Sequence, residues 1–206
     1  MARYTFFSFS YADVRNFRVN VVRNSWRYHN DNASFYDASI WEESYTKNPA
    51  KLKRMIDDAL YGTSVTAVLI GSDTAERRWV RYEIVKSFEQ GKGIVGVHIN
   101  RIMCKNRTIC KKGVNPLNKL GIKVSAKGDY ITFYEVINGK WQIYKDLSSI
   151  PNRMSNSVFF EQNHKNKDFG KFYRFSELFN TYCWKDNDGH RNYPDWIENA
   201  AIEVWR

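Results

Sequence analysis

Six consecutive residues, Val65-Thr66-Ala67-Val68-Leu69-Ile70, are apolar or β-branched without polar alternation, and the run stops at Gly71-Ser72. A strand with one wet face alternates, so a run of this kind is covered on both faces, as in the middle of a parallel sheet. Parallel neighbours need long crossovers, which are usually helices. The flanks supply them. Pro49 suits a helix's first turn, and Leu52, Met55, Ile56, Ala59 and Leu60 then recur at i, i+3, i+4, i+7 and i+8,. Gly62 ends that helix. A second helix is expected from about Thr74 to Gln90, with Val80, Ile84 and Phe88 as its core stripe. Gly91 and Gly93 close it, and Ile94 to Ile99 forms another buried strand.

The same logic extends to the N-terminus. Arg3 to Phe9 is aromatic and β-favouring. Asp13 suits an N-cap, and Val14, Phe17, Val21, Val22 and Trp26 follow at roughly helical spacing,. Ser34 to Ala38 reads as a short strand and Ile40 to Asn48 as an irregular loop. The resulting β-α-β-α-β-α-β order implies parallel strands with right-handed crossovers. After Asn100 the character changes. Between Arg101 and Gly128 lie eight basic residues and no acidic one, read chiefly as a solvated loop face,. Tyr130 to Val136 and Lys140 to Tyr144 flank Asn138-Gly139, a hairpin signal. Phe172 to Trp184 is expected to be a helix, and Tyr193 to Arg206 partly helical. The 206 residues fit a single domain, with a βα core in 1–100 and an elaboration in 101–206,.

The net charge of +10 favours anionic partners, nucleotides with phosphates among them,. Three cysteines without a CxxC pair fit a reducing cytoplasm, and no metal-ligand spacing appears,. Neither a signal peptide nor an apolar stretch of membrane-spanning length is present. No membrane partner is expected, nor is nucleic acid. Gly91-Lys92-Gly93-Ile94-Val95-Gly96 matches GxGxxG but follows a helix and opens a strand, the reverse of a dinucleotide loop,. His98, inside an apolar strand, reads as a core residue.

Trp79 and Glu83 are four apart on the expected helix, so they share a side just beyond the end of a buried strand. Open α/β sheets bind ligands at such ends. An indole beside one carboxylate suits a flat cationic group attached to a sugar. Taken alone the pair is a weak signal, since a packed tryptophan with a solvated glutamate looks the same.

Here the residues carry a resemblance. Phe6-Phe7-Ser8-Phe9-Ser10-Tyr11 followed by Asp13 resembles the opening box of TIR domains. Gly71-Ser72 followed by Arg78-Trp79-Val80-Arg81-Tyr82-Glu83 resembles the TIR helix with the catalytic glutamate of NAD-cleaving members. With Asp37-Ala38-Ser39-Ile40-Trp41-Glu42 added, the likeness is closest to the TIR-like proteins of the bacterial Thoeris anti-phage system. It implies an α/β, flavodoxin-like TIR fold: a central parallel sheet flanked by helices, with a C-terminal hairpin-and-helix elaboration. It implies NAD as substrate rather than cofactor, nicotinamide release, and a cyclic ADP-ribose isomer as product. That product is read by a separate effector protein, and activity involves self-association. The alternative is a non-enzymatic TIR interaction module.

Within that frame Glu83 is the catalytic candidate. Its bland role is a surface ion pair with Lys86. Trp79 either stacks on nicotinamide or packs helix to sheet. Phe7 faces either ligand or core. Ser8, Ser10 and Ser72 sit at strand ends as possible donors to ribose or phosphate, or as turn residues. Asp37, Ser39 and Trp41 fall where TIR domains have a loop that closes over substrate, or form a plain surface loop. Arg77, Arg78 and Arg81 meet pyrophosphate or water.

Overall fold

A computed structural model describes residues 3–29, 35–37, 48–152 and 168–204. In chain order the elements are β1 (Thr5–Phe9), α1 (Tyr11–Arg15), α2 (Arg18–His29), β2 (Phe35–Asp37), α3 (Pro49–Leu60), β3 (Val65–Ile70), α4 (Arg78–Glu89) and β4 (Gly93–His98). Then follow β5 (Leu120–Val124), β6 (Tyr130–Ile137), β7 (Lys140–Ile143), β8 (Ile150–Pro151), β9 (Phe172–Arg174), α5 (Phe175–Leu178), β10 (Thr181–Cys183) and α6 (Gly189–Ile202). The central sheet has the order β10-β4-β3-β1-β2, every pairing parallel. The chain therefore turns to opposite sides of β1 to form β2 and β3. This leaves a crevice at the carboxyl ends of β1 and β3. A second, antiparallel sheet has the order β7-β6-β5-β9, with β8 on β6.

Alternation sorts the core. On one face Phe7, Phe9, Val65, Ala67, Leu69, Val95 and Val97 pack with Val19 and Val22 of α2 and Tyr193, Trp196 and Ile197 of α6. On the other, Val68 and Ile70 meet Val80, Ile84, Val85 and Phe88 of α4, which in turn cover Ile122 and Phe133 of the second sheet. A third cluster joins Phe6 to Leu52, Ile56, Ala59 and Leu60 of α3 and to Tyr82. Among the described residues, no helix is long and apolar enough to cross a membrane.

The buried runs, the helix opened by Pro49 and the Asn138-Gly139 hairpin are as expected; Asn138 and Gly139 both have positive φ, 50° and 76°. Three expectations need correction. The helix read through Val14 and Phe17 breaks there, because Phe17 takes φ 62° and lies half exposed. The helix expected from Thr74 begins as a 3-10 turn at Thr74–Glu76 before α4. Phe172–Trp184 is not a helix: β9 pairs with β5, a single short helix follows, and β10 joins the central sheet beside β4.

The GxGxxG decoy has a packing reason. A Cβ on Gly93 would lie 2.2 Å from the Ala200 carbonyl oxygen, so glycine is what lets α6 approach β4,. Pro194 inside α6 removes an N–H that would serve the His190 carbonyl,. Ser25 of α2 donates its hydroxyl to that carbonyl at 3.3 Å instead.

Candidate active site

Glu83 lies on the side of α4 that faces β1. It is 3% exposed, and its carboxylate accepts a hydrogen bond from the fully buried Ser8 hydroxyl. Ser8 alternates with the core residues Phe7 and Phe9, so a polar position points at α4 near the carboxyl end of β1,. One turn beyond Glu83, the Ser87 hydroxyl donates to the Glu83 carbonyl at 2.6 Å and lies 2.7 Å from the Thr66 hydroxyl on β3. A buried seam of hydroxyls thus fixes the helix that carries the carboxylate against two strands. Lys86, the expected surface partner, pairs with Glu89 at 2.8 Å.

The turn before α4 is fixed from within. The Thr74 hydroxyl accepts from the Gly71 N–H at 2.9 Å and donates to the Leu69 carbonyl at 3.3 Å. Gly71 lets the Asp13 carboxylate lie against the turn: a Cβ would stand 1.8 Å from it, so the carboxylate would have to move. Asp13 is no N-cap. It sits in the first turn of α1, 2% exposed, with Arg18 at 3.5 Å. Its second carboxylate oxygen and the hydroxyl of fully buried Ser10 have no hydrogen-bond partner among the described residues. Among the described residues, the crevice between the ends of β1 and β3 therefore holds polar groups with unused bonding capacity. Arg18 also donates to the carbonyls of Ile102, at 3.1 Å, and Thr108, at 3.5 Å. Gly113 lies against the backbone of Gly71 and Ser72. The basic stretch is thereby anchored over the same sheet edge, and Lys119 is paired with Glu76 at 2.5 Å.

Burial pushes the Asp13 carboxyl up to about 6, with Arg18 opposing the rise and Asp73 adding to it. Between its ordinary 3.8 and about 6 the native chain holds a proton that the unfolded chain has released. Stability from this group is full at low pH, falls as pH rises through that window, and is level above it. From about pH 4.5 to 7 the loss is on the order of 2 kcal/mol. Asp13→Asn is expected to lack this component. Thermal melts of both proteins across that range check it: their difference in stability shifts with pH, and parallel curves would contradict the assignment.

The remaining candidates divide. Phe7 is wholly in the core, stacked at 6.3 Å on Tyr193, and so takes the packing role. Trp79 is half-buried on the cluster of Phe6, Leu52, Ile56 and Tyr82, with the Arg78 guanidinium 4.8 Å from its ring centre. It packs α4 against α3. Ser72 is exposed. Asp37 ends β2 in register with Phe7; its side chain, Ser39 and Trp41 lie outside the described residues. Arg77, Arg78 and Arg81 form ion pairs with Asp73, Asp146 and Glu135. His98 is buried, which pushes its imidazole down to about 4, in keeping with a core residue. Sequence reasoning did not bring Arg18, Thr66 and Ser87 to this region, and it read Asp13 only as an N-cap and as the acidic residue of the TIR-like opening. Ser87 had a signal: it is four residues after Glu83 on the same helix side.

Comparison with known proteins follows this geometry. The family model described as "Thoeris protein ThsB, TIR-like domain" matches residues 6–102. A curated relative from Bacillus cereus (strain MSX-D12), named "Putative cyclic ADP-D-ribose synthase ThsB1", is 45% identical over 199 residues, covering 96% of this chain and 100% of its own. The parallel sheet, the matched segment and the nearly full-length likeness place the chain in one family: it belongs to the TIR-like ThsB proteins of the Thoeris system.

Proposed function

We propose that the protein cleaves the nicotinamide–ribose bond of NAD and closes the remaining ADP-ribose into a cyclic isomer, with Glu83 as the catalytic carboxylate. The observation that carries this is the buried Ser8–Glu83 pair beside the crevice at the end of β1. The name of the Bacillus cereus relative supports the substrate class.

The chemistry asks little of an acid. Nicotinamide leaves as a neutral base because its ring nitrogen is already cationic in NAD, so the bonding pair goes to that nitrogen. The barrier is the positive charge that develops on ribose. A fixed carboxylate that binds the ribose hydroxyls strengthens its interaction as that charge forms. A nucleophilic atom of the same ADP-ribose then bonds to the anomeric carbon; if it is a hydroxyl, its proton departs to solvent. Cyclisation requires water to be kept from that carbon. A carboxylate 3% exposed is already shielded from bulk water. It also follows that substrate reaches Glu83 only when local structure opens, which suits an enzyme held at rest until triggered. Self-association during activity, a cytoplasmic site of action and a separate effector that reads the product belong to the same reading.

Ser8 is a positioning residue for Glu83 in this scheme. Ser8→Ala removes one hydrogen bond to a charged group, a contribution of about 1.5–3 kcal/mol. Nicotinamide release by Ser8→Ala is expected to fall roughly tenfold or more in kcat, and Ser8→Thr, which keeps a hydroxyl, to recover part of it. Wild-type turnover in Ser8→Ala would contradict the role.

A further inference from the structure

An antiparallel sheet with one buried face normally turns polar side chains to water. The second sheet departs from this rule. Ile131 and Phe133 of β6 point inward and are buried. The outward positions of β6 are Tyr130, Thr132, Tyr134 and Val136. The register places Ile143 opposite Tyr134 and Trp141 opposite Val136 on β7. It places Gly121 opposite Tyr134 and Lys123 opposite Thr132 on β5, with Arg174 and Phe172 of β9 beyond them. Among the described residues of these strands, the water-facing side thus carries Trp141, Tyr134, Phe172 and Tyr130 with two cations and no acid. Tyr130, Ile143 and Phe172 are 51%, 59% and 37% exposed, and Lys123 and Arg174 are exposed as well. The one carboxylate within these strands, Glu135, points inward to Arg81 at 3.1 Å.

The rings are grouped rather than scattered. The Phe172 ring centre is 4.8 Å from that of Trp141 and 5.6 Å from that of Tyr134. Gly121 makes room for this arrangement, since a Cβ there would lie 2.6 Å from the Phe172 ring. A platform of rings on an open sheet, bordered by Lys and Arg on a chain of net charge +10, is complementary to bases and phosphates together,. Duplexes hide their base faces; single strands present them.

We propose that the outer face of the β7-β6-β5-β9 sheet binds single-stranded nucleic acid, with bases stacked on Trp141, Tyr134 and Phe172 and phosphates met by Lys123 and Arg174. The sequence does not announce this site, because the basic stretch alone reads as a loop face. Only strand register brings residues from 121 to 174 onto one surface. The proposal is independent of the NAD reading and is tested without turnover.

The test is fluorescence anisotropy of the full chain with labelled oligothymidine and oligouridine of about fifteen nucleotides, and with a duplex of the same length. Both single strands are expected to bind more tightly than the duplex, and binding to weaken as salt rises from about 50 to 200 mM. Trp141→Ala and Phe172→Ala are each expected to weaken single-strand binding at least about fivefold. Lys123→Glu, an exposed change with no packing role, is expected to weaken it and flatten the salt dependence. Its retained melting curve keeps the test valid if an aromatic variant folds poorly. Preference for DNA over RNA, or the reverse, identifies the source of the strand. No single-strand binding at low salt, equal binding of duplex, or binding that none of the three variants alters would overturn the proposal. So would the same variants abolishing self-association in sedimentation while leaving oligonucleotide binding intact, which would make this face a contact between copies of the chain.

Discussion

Glu83→Gln is expected to lower nicotinamide release from NAD at least about a hundredfold, the scale found when a preorganised electrostatic contact to a developing charge is removed. The substitution is nearly isosteric. The amide oxygen still accepts the Ser8 hydroxyl, so the buried seam of Ser8, Ser87 and Thr66 keeps its partners. The helix should hold its place, and circular dichroism and the melting temperature should stay close to wild type. What is lost is the negative charge that meets the ribose cation. Glu83→Ala is a poorer probe, because it would leave the Ser8 hydroxyl buried without its partner. Chromatographic measurement of nicotinamide from wild type and Glu83→Gln under matched conditions checks the expectation. Equal rates, measured where the wild type turns NAD over, would remove Glu83 from the chemistry, whatever its burial.

Gly93→Ala should produce the largest loss of stability among single methyl additions at the buried strands. The new Cβ would fall 2.2 Å from a backbone carbonyl of α6, and backbone cannot rotate away as a side-chain tip can. Either α6 shifts off β4, or β4 bends. α6 supplies Tyr193, Trp196, Ile197 and Ala201 to the core beneath β1, β3 and β4. A shift therefore opens a gap across that whole layer. The cost is about 3 kcal/mol, or a fall in melting temperature of roughly 6–12 °C for a chain of this size. Differential scanning fluorimetry reads it directly. A variant as stable as wild type would mean that α6 does not pack on β4 as described, and that the C-terminal half is joined more loosely to the core.

The elements legible in the sequence are those whose signal is local. Val65–Ile70 announces burial by its lack of alternation, α3 by its apolar stripe after Pro49, and the hairpin by Asn138-Gly139. β10 was not legible. Phe172, Phe175, Phe179 and Tyr182 fall at helical spacing, yet they are divided among a strand, a short helix, its extended C-cap and another strand. What makes Thr181–Cys183 a strand is its pairing with β4, some eighty residues earlier, and nothing local records that. The same distinction applies to the site. Glu83 and Ser8 were visible because each sits at a strand end or helix face that the pattern itself defines. Asp13 was misread because its short spacing from the strand fits an N-cap, whereas the packing of Gly71 and Arg18 against it belongs to tertiary structure. Helical spacing relates Trp79 to Glu83, whereas its contact with the α3 cluster belongs to tertiary packing that no local pattern records,.

In the proposed reaction the buried carboxylate on α4 supports cleavage of NAD and closure of its ADP-ribose half. The decisive experiment is a mass spectrum of the nucleotide formed from NAD, taken for wild type and Glu83→Gln in cells before and after phage challenge. Cyclic product, one water lighter than linear ADP-ribose, is predicted for the wild type alone. NAD left intact by the wild type, or the same product from both proteins, would contradict the account.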